Sequence, residues 1–343
     1  MELHFTRTNG PVDDAIDRLI EMSGKIYHPA IVREMILAAL KAGQEINERI
    51  DLKIMNATLK EMRFTSKVFN PYHGIRKVSV FGSARIDPAE PLYLLARELG
   101  SALARAGYMV ITGGGPGIMQ AVNEGAGQEH SFGVNIRLPF EQKLNPVVDG
   151  NPRSVTYKYF FNRKVAFLKE SDAVALFPGG FGTLDEAMET LTLVQTGKRA
   201  PLPIVLLDTP GGTYWSRWVD FLKKELDARG YIDSSDFDLF EQIESVDEAL
   251  STISRFYARY HSLRYVDEKL VIRLLTTLDE KSLEEVKRLF PDILVPGGDF
   301  VLGGPLPAEE GEPELAHFPR LIVDFNRKDF ARLRTLIDSL NRL

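Results

Sequence analysis

The chain of 343 residues contains no cysteine. Disulfides, thiol nucleophiles and cysteine-ligated metals are therefore excluded. Long apolar runs are missing too: none approaches the roughly 20 residues of a membrane span. Met1-Glu2-Leu3-His4-Phe5 is not a basic segment leading into an apolar one, so no signal peptide is expected. These absences predict a cytoplasmic protein without a membrane partner. Nor is there a strong excess of one charge. Lys and Arg number 42 against 48 Asp and Glu, a formal charge of −6, which argues against nucleic acid as a partner. The histidines (His4, His28, His73, His130, His261 and His317) are scattered, with no His-x-x-x-His pair. No Walker lysine loop, Gly-x-Ser-x-Gly elbow or His-Glu-x-x-His is present. No metal and no cofactor is expected.

What remains is an ordinary globular composition, 44% hydrophobic and 26% charged. The length suffices for one large domain with extensions, or two domains. Three regions separate by pattern, with boundaries predicted at 1–74, 75–261 and 262–343. In the first, Ile16, Leu19, Ile20, Ile31, Met35, Ile36, Leu40, Ile46, Ile50, Ile54, Leu59 and Met62 recur at helical spacing. That region reads as an amphipathic helical extension for packing or oligomerisation. The second alternates strand and helix. Strands are predicted at 78–81, 108–112, 131–138, 155–157, 173–177 and 204–207, with helices at 92–106, 118–126, 161–169, 184–195 and 214–228. This alternation predicts an α/β fold, a doubly wound parallel sheet covered on both faces. The third reads as β-α-β-β-α, a small α+β domain of ferredoxin-like or ACT-like kind. Its first helix is predicted at 282–290, with Ser282 as N-cap and Glu285 completing a capping box. Residues 303–317, rich in Gly, Pro and Glu, read as a mobile loop.

Glycine turns follow three of the predicted strands, at the edge where open α/β sheets bind ligands. The first is Gly82-Ser83-Ala84-Arg85, offering a hydroxyl and a fixed charge suited to phosphate. The second is Gly113-Gly114-Gly115-Pro116-Gly117. Its glycines do not match Gly-x-Gly-x-x-Gly, and no acid follows at the end of the next strand, so NAD is disfavoured. The third is Pro178-Gly179-Gly180-Phe181-Gly182-Thr183-Leu184-Asp185-Glu186, a strand-to-helix turn whose free N–H groups suit a phosphate. Thr183 and Glu186 carry two readings. Thr-x-x-Glu at a helix start is the capping-box signature; equally, Glu186 could meet whatever the phosphate is attached to. Arg163, near a helix N-terminus, opposes the dipole and needs an anion: a surface partner such as Glu170, or Glu186 across a shared cleft. Asp208, after strand 204–207, is a secondary candidate that also suits a turn. Trp215, Trp218, Phe221 and Leu222 read as core.

Gly113 to Met119, Arg163-Lys164 and Pro178 to Glu186 together resemble the LOG ("Lonely Guy") family, long labelled "possible lysine decarboxylase". The resemblance covers roughly residues 76–260. It implies a Rossmann-like fold, a homodimer or larger homo-oligomer, and hydrolysis of nucleoside 5′-monophosphates to free base and ribose 5-phosphate. Carried over onto this chain, it implies Arg163 and Glu186 as catalytic residues. Substrate and phosphate contacts fall to Gly82, Ser83, Arg85, Gly113, Gly114, Gly115, Lys164, Gly179, Gly180, Gly182 and Thr183. Two departures favour a broader nucleotidase over a cytokinin-activating member. The middle turn is one residue shorter than in the plant members, and the arginine lies in Phe-Phe-Asn-Arg-Lys rather than His-Glu-Arg-Lys. The alternatives are a noncatalytic nucleotide-binding protein akin to molybdenum-cofactor carriers, and a C-terminal domain that binds a small-molecule effector.

Overall fold

The computed structural model describes residues 9–139 and 144–343; His4 lies outside them. The chain forms two compact units, one ending at Arg63 and one spanning Phe64–Leu343. The first holds α1 (Pro11–Met22), α2 (Pro29–Glu45) and most of α3 (Arg49–Phe69). Proline opens both α1 and α2, where its missing N–H costs nothing. Arg33 of α2 is paired with Asp13 and, at 3.5 Å, with Asp17 of α1.

The second unit contains two sheets. Its chain order runs β1 (Lys77–Phe81), α4 (Pro91–Arg105), β2 (Met109–Thr112), α5 (Ile118–Ala126), β3 (Ser131–Ile136), β4 (Ser154–Tyr157), α6 (Phe160–Glu170), β5 (Ala173–Leu176), α7 (Phe181–Gln195), β6 (Ile204–Leu207), α8 (Tyr214–Phe221), β7 (Glu241–Ile243) and α9 (Val246–Phe256). The strands form one sheet in the order β4-β3-β2-β1-β5-β6-β7, parallel throughout. This is the Rossmann-like, doubly wound sheet that the alternation predicted. Every residue of β1, β2, β3, β5 and β6 is buried, because helices cover both faces and neither can face water. Alternate residues serve opposite cores. Val78, Val80, Val110 and Ala175 pack with Leu99, Leu103, Val122 and Ile253. Phe81, Ile111, Val174 and Leu206 pack with Phe69, Phe132, Phe167 and Trp215. The helix predicted at 214–228 is α-helical only to Phe221 and continues to Asp227 as a wider π turn.

The C-terminal region is α+β, as expected, but has one more strand than predicted. Its order is β8 (Tyr260–Val266), β9 (Lys269–Leu274), α10 (Glu280–Leu289), β10 (Phe300–Gly303), β11 (Arg320–Val323) and α11 (Phe330–Leu340). The sheet order is β10-β11-β9-β8, antiparallel at every step. Two antiparallel strand pairs flank α10, which differs from the split β-α-β order of a ferredoxin-like or ACT-like domain. Two further expectations are corrected here. The N-cap of α10 is Asp279, whose carboxylate accepts the Ser282 N–H at 2.7 Å, so Ser282 lies inside the helix. The Gly/Pro/Glu-rich loop is pinned rather than free, because Glu309 is 3% exposed and is held by Arg273 and Arg320. No helix among the described residues is long and apolar enough to cross a membrane.

Candidate active site

In the large sheet the chain leaves β1 toward β2 on one side and returns to add β5 on the other. A crevice opens at such a switch, outside the carboxyl ends of the strands. The three glycine turns meet there through the backbone of Ser83. Its N–H donates to the Pro178 carbonyl at 3.1 Å, and its carbonyl accepts the Ile118 N–H at 3.0 Å. The approach requires glycine at 117, where a Cβ would lie 2.3 Å from the Ser83 carbonyl oxygen. The resulting cleft, 860 Å³, is lined by Gly82, Ser83, Arg85, Gly113, Arg163, Gly179, Gly180, Gly182, Thr183 and Glu186 among the residues singled out in the sequence.

Helix α7 begins at Phe181, three residues earlier than the hydrophobic pattern suggested. Its N-cap is Gly180, which has no side chain to cap with. Phe181 and Gly182, whose N–H groups open α7 ahead of its first intrahelical bonds, line the cleft. Thr183 sits inside the first turn, with its N–H on the Gly180 carbonyl at 3.1 Å. The capping box permitted by the spacing is not formed. Glu186 is 2% exposed, and neither of its carboxylate oxygens has a hydrogen-bond partner among the described residues. A Cβ on Gly179 would lie 2.1 Å from Thr183 Oγ1 and 3.0 Å from the Ser83 nitrogen. Glycine at 179 is thus what lets the third glycine turn close on the first.

Two cations from α6 stand near this carboxylate. Arg163 Nη2 is 3.9 Å from Glu186 Oε1, and Lys164 Nζ is 3.6 Å from the same atom. Both distances suit ion pairs but are too long for hydrogen bonds. Burial raises the Glu186 pKa to about 7; Lys164 and then Arg163 oppose the rise, while Glu189 and Asp185 add to it. Burial lowers the Arg163 pKa from its ordinary value, against the pull of Glu186 and Asp185. Its guanidinium lies 4.9 Å from the Phe160 ring centroid and 5.8 Å from that of Phe167, and its Nε is buried without a hydrogen-bond partner among the described residues. Arg163 thus faces Glu186, not Glu170, which pairs with Lys169.

Gly114, Gly115 and Lys164 do not line the cleft. The Gly114 N–H donates to Thr112 Oγ1 at 3.0 Å, its carbonyl accepts the Asn145 N–H at 2.8 Å, and the Gly115 carbonyl accepts Asn145 Nδ2 at 3.1 Å. That half of the second turn is used to hold its own shape. Asp208 accepts the N–H groups of Thr209 and Tyr214, so it organises the turn before α8. Phe167 and Tyr214 line the cleft without having been singled out, and Met119 and Phe181 line it as motif members to which no role was assigned. Tyr214 donates its hydroxyl to the Gly179 carbonyl at 2.7 Å. Nothing in the sequence around Tyr214 marks it, since its partner is 35 residues away. Phe181 did carry a signal, as an aromatic residue inside the glycine turn itself, and the structure leaves it 95% exposed.

The family model described as "possible lysine decarboxylase" matches residues 119–253, which include Arg163 and Glu186. Cytokinin riboside 5′-monophosphate phosphoribohydrolase LOG3 of Arabidopsis thaliana is 30% identical over 162 residues, covering 46% of this chain and 72% of that protein. The chain belongs to the LOG family. A second relative, the probable cytokinin riboside 5′-monophosphate phosphoribohydrolase LOGL9 of Oryza sativa subsp. japonica, is 30% identical over 62% of this chain and 84% of its own length. Among solved structures, the molybdenum cofactor carrier protein from Chlamydomonas reinhardtii superposes with a TM-score of 0.37 at 22% identity, over 53% of this LOG-family chain and 97% of that one.

Proposed function

We propose that this LOG-family chain hydrolyses the N-glycosidic bond of nucleoside 5′-monophosphates, giving the free base and ribose 5-phosphate. The observation that carries the reading is the Glu186 carboxylate. It is buried, without hydrogen bonds, beside Arg163, and opens onto the same cleft as the glycine turn. A buried acid held this way is costly to the fold and is the kind of group that chemistry retains. The α7 N-terminus and Gly179 to Thr183 grip the phosphate, with Ser83 and Arg85 supplied by the adjoining first glycine turn. Cleavage of the ribose–base bond develops positive charge at the anomeric carbon. Glu186 as carboxylate stabilises that charge and orients the attacking water, whose hydroxyl goes to the anomeric carbon. The base leaves with the bonding pair and takes up a proton. Arg163 holds Glu186 and substrate oxygens in place. Phosphate binding, remote from the broken bond, supplies energy for positioning.

The test is release of base and ribose 5-phosphate by purified protein from AMP, GMP, CMP and UMP. Binding of all four without release would reject hydrolysis in favour of a nucleotide carrier. Arg163→Ala with undiminished turnover would remove the arginine from the scheme. Because Glu186 titrates at about 7 in the free protein and acts as the carboxylate, kcat/KM is expected to rise with pH through that value. A profile flat from pH 5.5 to 8.5 contradicts the assigned role. Tyr214→Phe deletes only the hydroxyl that steadies Gly179. The expected result is a rise of about five- to tenfold in KM for AMP with kcat nearly unchanged. An unaltered KM shows that the turn holds its shape without Tyr214.

A further inference from the structure

Lys164, expected among the phosphate ligands, points away from the cleft toward α7. Consecutive residues on a helix are about 100° apart, so Arg163 and Lys164 approach Glu186 Oε1 from different directions, and only Arg163 lines the cleft. Lys164 Nζ lies 2.9 Å from Asp185 and 2.7 Å from Glu189. These carboxylates stand at i and i+4 on α7, on either side of Glu186. An ammonium has three protons to donate, and two of them are engaged by this pair. The Lys164 Nζ also lies 3.6 Å from Glu186 Oε1, nearer than the Arg163 guanidinium at 3.9 Å. The lysine side chain is only 17% exposed.

We propose that Lys164 is a positioning residue, fixed between Asp185 and Glu189, that keeps the Glu186 carboxylate charged and aimed at the cleft without touching substrate. The inference deepens the proposed hydrolysis and rests on that reading for its kinetic consequence only. The charged groups facing Glu186 are Arg163 and Lys164 from α6 and Asp185 and Glu189 from α7; Arg85 and Tyr214 line the cleft from the first glycine turn and α8. Two flanking carboxylates and burial all favour the protonated acid. Lys164 offsets them, and its own pKa rises because hydrogen bonds to Glu189 and Asp185 outweigh the effect of burial. The clasp also holds the ammonium short of hydrogen-bonding distance to Glu186, which leaves both carboxylate oxygens free of it.

Two variants separate this role from the others, because their effects have opposite signs. Lys164→Met removes the cation and should move the Glu186 carboxyl titration, followed by carbon NMR in substrate-free protein, upward by about one pH unit or more. The kcat/KM profile for AMP should move with it, while KM at high pH stays within about threefold and Lys164→Arg restores the profile. The double variant Asp185→Asn/Glu189→Gln keeps the cation, removes the competing charges and lets Lys164 close on Glu186. Its titration should move downward. A tenfold rise in KM with an unmoved titration in Lys164→Met would make Lys164 a substrate ligand and overturn the proposal. So would a titration that stays in place in the double variant, which also decides the matter should Lys164→Met fail to fold. The NMR measurement needs no turnover, so a protein that does not hydrolyse nucleotides would refute the proposed function while leaving this inference to be judged by the titration.

Discussion

Glu186→Gln is expected to lose about 10³-fold in kcat on nucleoside monophosphates while unfolding at the same or a higher temperature than the parent at pH 8. The two halves of this result come from one observation. Neither oxygen of Glu186 has a hydrogen-bond partner among the described residues, and the side chain is 2% exposed. Its carboxyl is raised to about 7, chiefly by burial. A carboxyl raised in the folded state binds its proton more tightly there than in the unfolded chain, so its stability contribution declines as pH rises from about 4.5 through about 7. Above that range the charged form costs the fold on the order of 1–3 kcal/mol, and the neutral amide avoids that cost. Paired melts at pH 5 and pH 8 check the sign: the variant should gain on the parent only at the higher pH. Wild-type turnover in Glu186→Gln, accompanied by an unchanged melting difference at both pH values, would return this residue to an ordinary structural role.

That outcome bears on how much of the site could be read without coordinates. Thr183 and Glu186 have capping-box spacing, and spacing alone favours the cap while leaving the catalytic reading open. The decision came from where α7 starts. Phe181 opens the helix, with Gly180 as its cap, so Thr183 lies inside the first turn and not at the cap position. The central strands were legible because covering both faces makes them near-continuous apolar runs, as in Ala173–Leu176 and Ile204–Leu207. Tyr260–Val266 was not legible. It is one of the two edge strands of the small sheet, its middle residues are only partly buried, and His261, Ser262 and Arg264 conceal any alternation. The identity of Lys164 was legible within the Arg-Lys pair, but its direction was not, since a helix turns successive side chains to different neighbours. Tyr214 reaches Gly179 across the fold, a contact that no local pattern encodes.

Glu309→Ala should produce the largest stability loss, about 3–5 kcal/mol, although its surroundings read in the sequence as a mobile loop. The carboxylate accepts Arg273 Nη2 at 2.6 Å and Nε at 3.0 Å, Arg320 Nε at 3.3 Å and the Leu306 N–H at 3.0 Å. Arg320 is fully buried and Arg273 is 4% exposed. Deleting the carboxylate leaves two guanidinium groups in the C-terminal domain facing each other without their shared anion; Arg273 keeps Glu312, but Arg320 retains only carbonyls of the loop. Burial alone would raise the Glu309 carboxyl, yet the Leu306 N–H and the two arginines outweigh it and hold the group at about 2. A carboxyl depressed in the folded state stabilises it above the unfolded value near 4.5, and that stabilisation fades as pH falls toward 2. Urea unfolding of parent and variant should therefore show the full difference at pH 7 and a smaller one at pH 3. A difference below about 1 kcal/mol at pH 7, or one that does not shrink in acid, would mean that the loop is held by packing and that the arginines find other partners. Glu309→Gln, which keeps an acceptor for Leu306 and loses the charge, should fall between parent and alanine, separating the ionic part of the clasp from its hydrogen bonds.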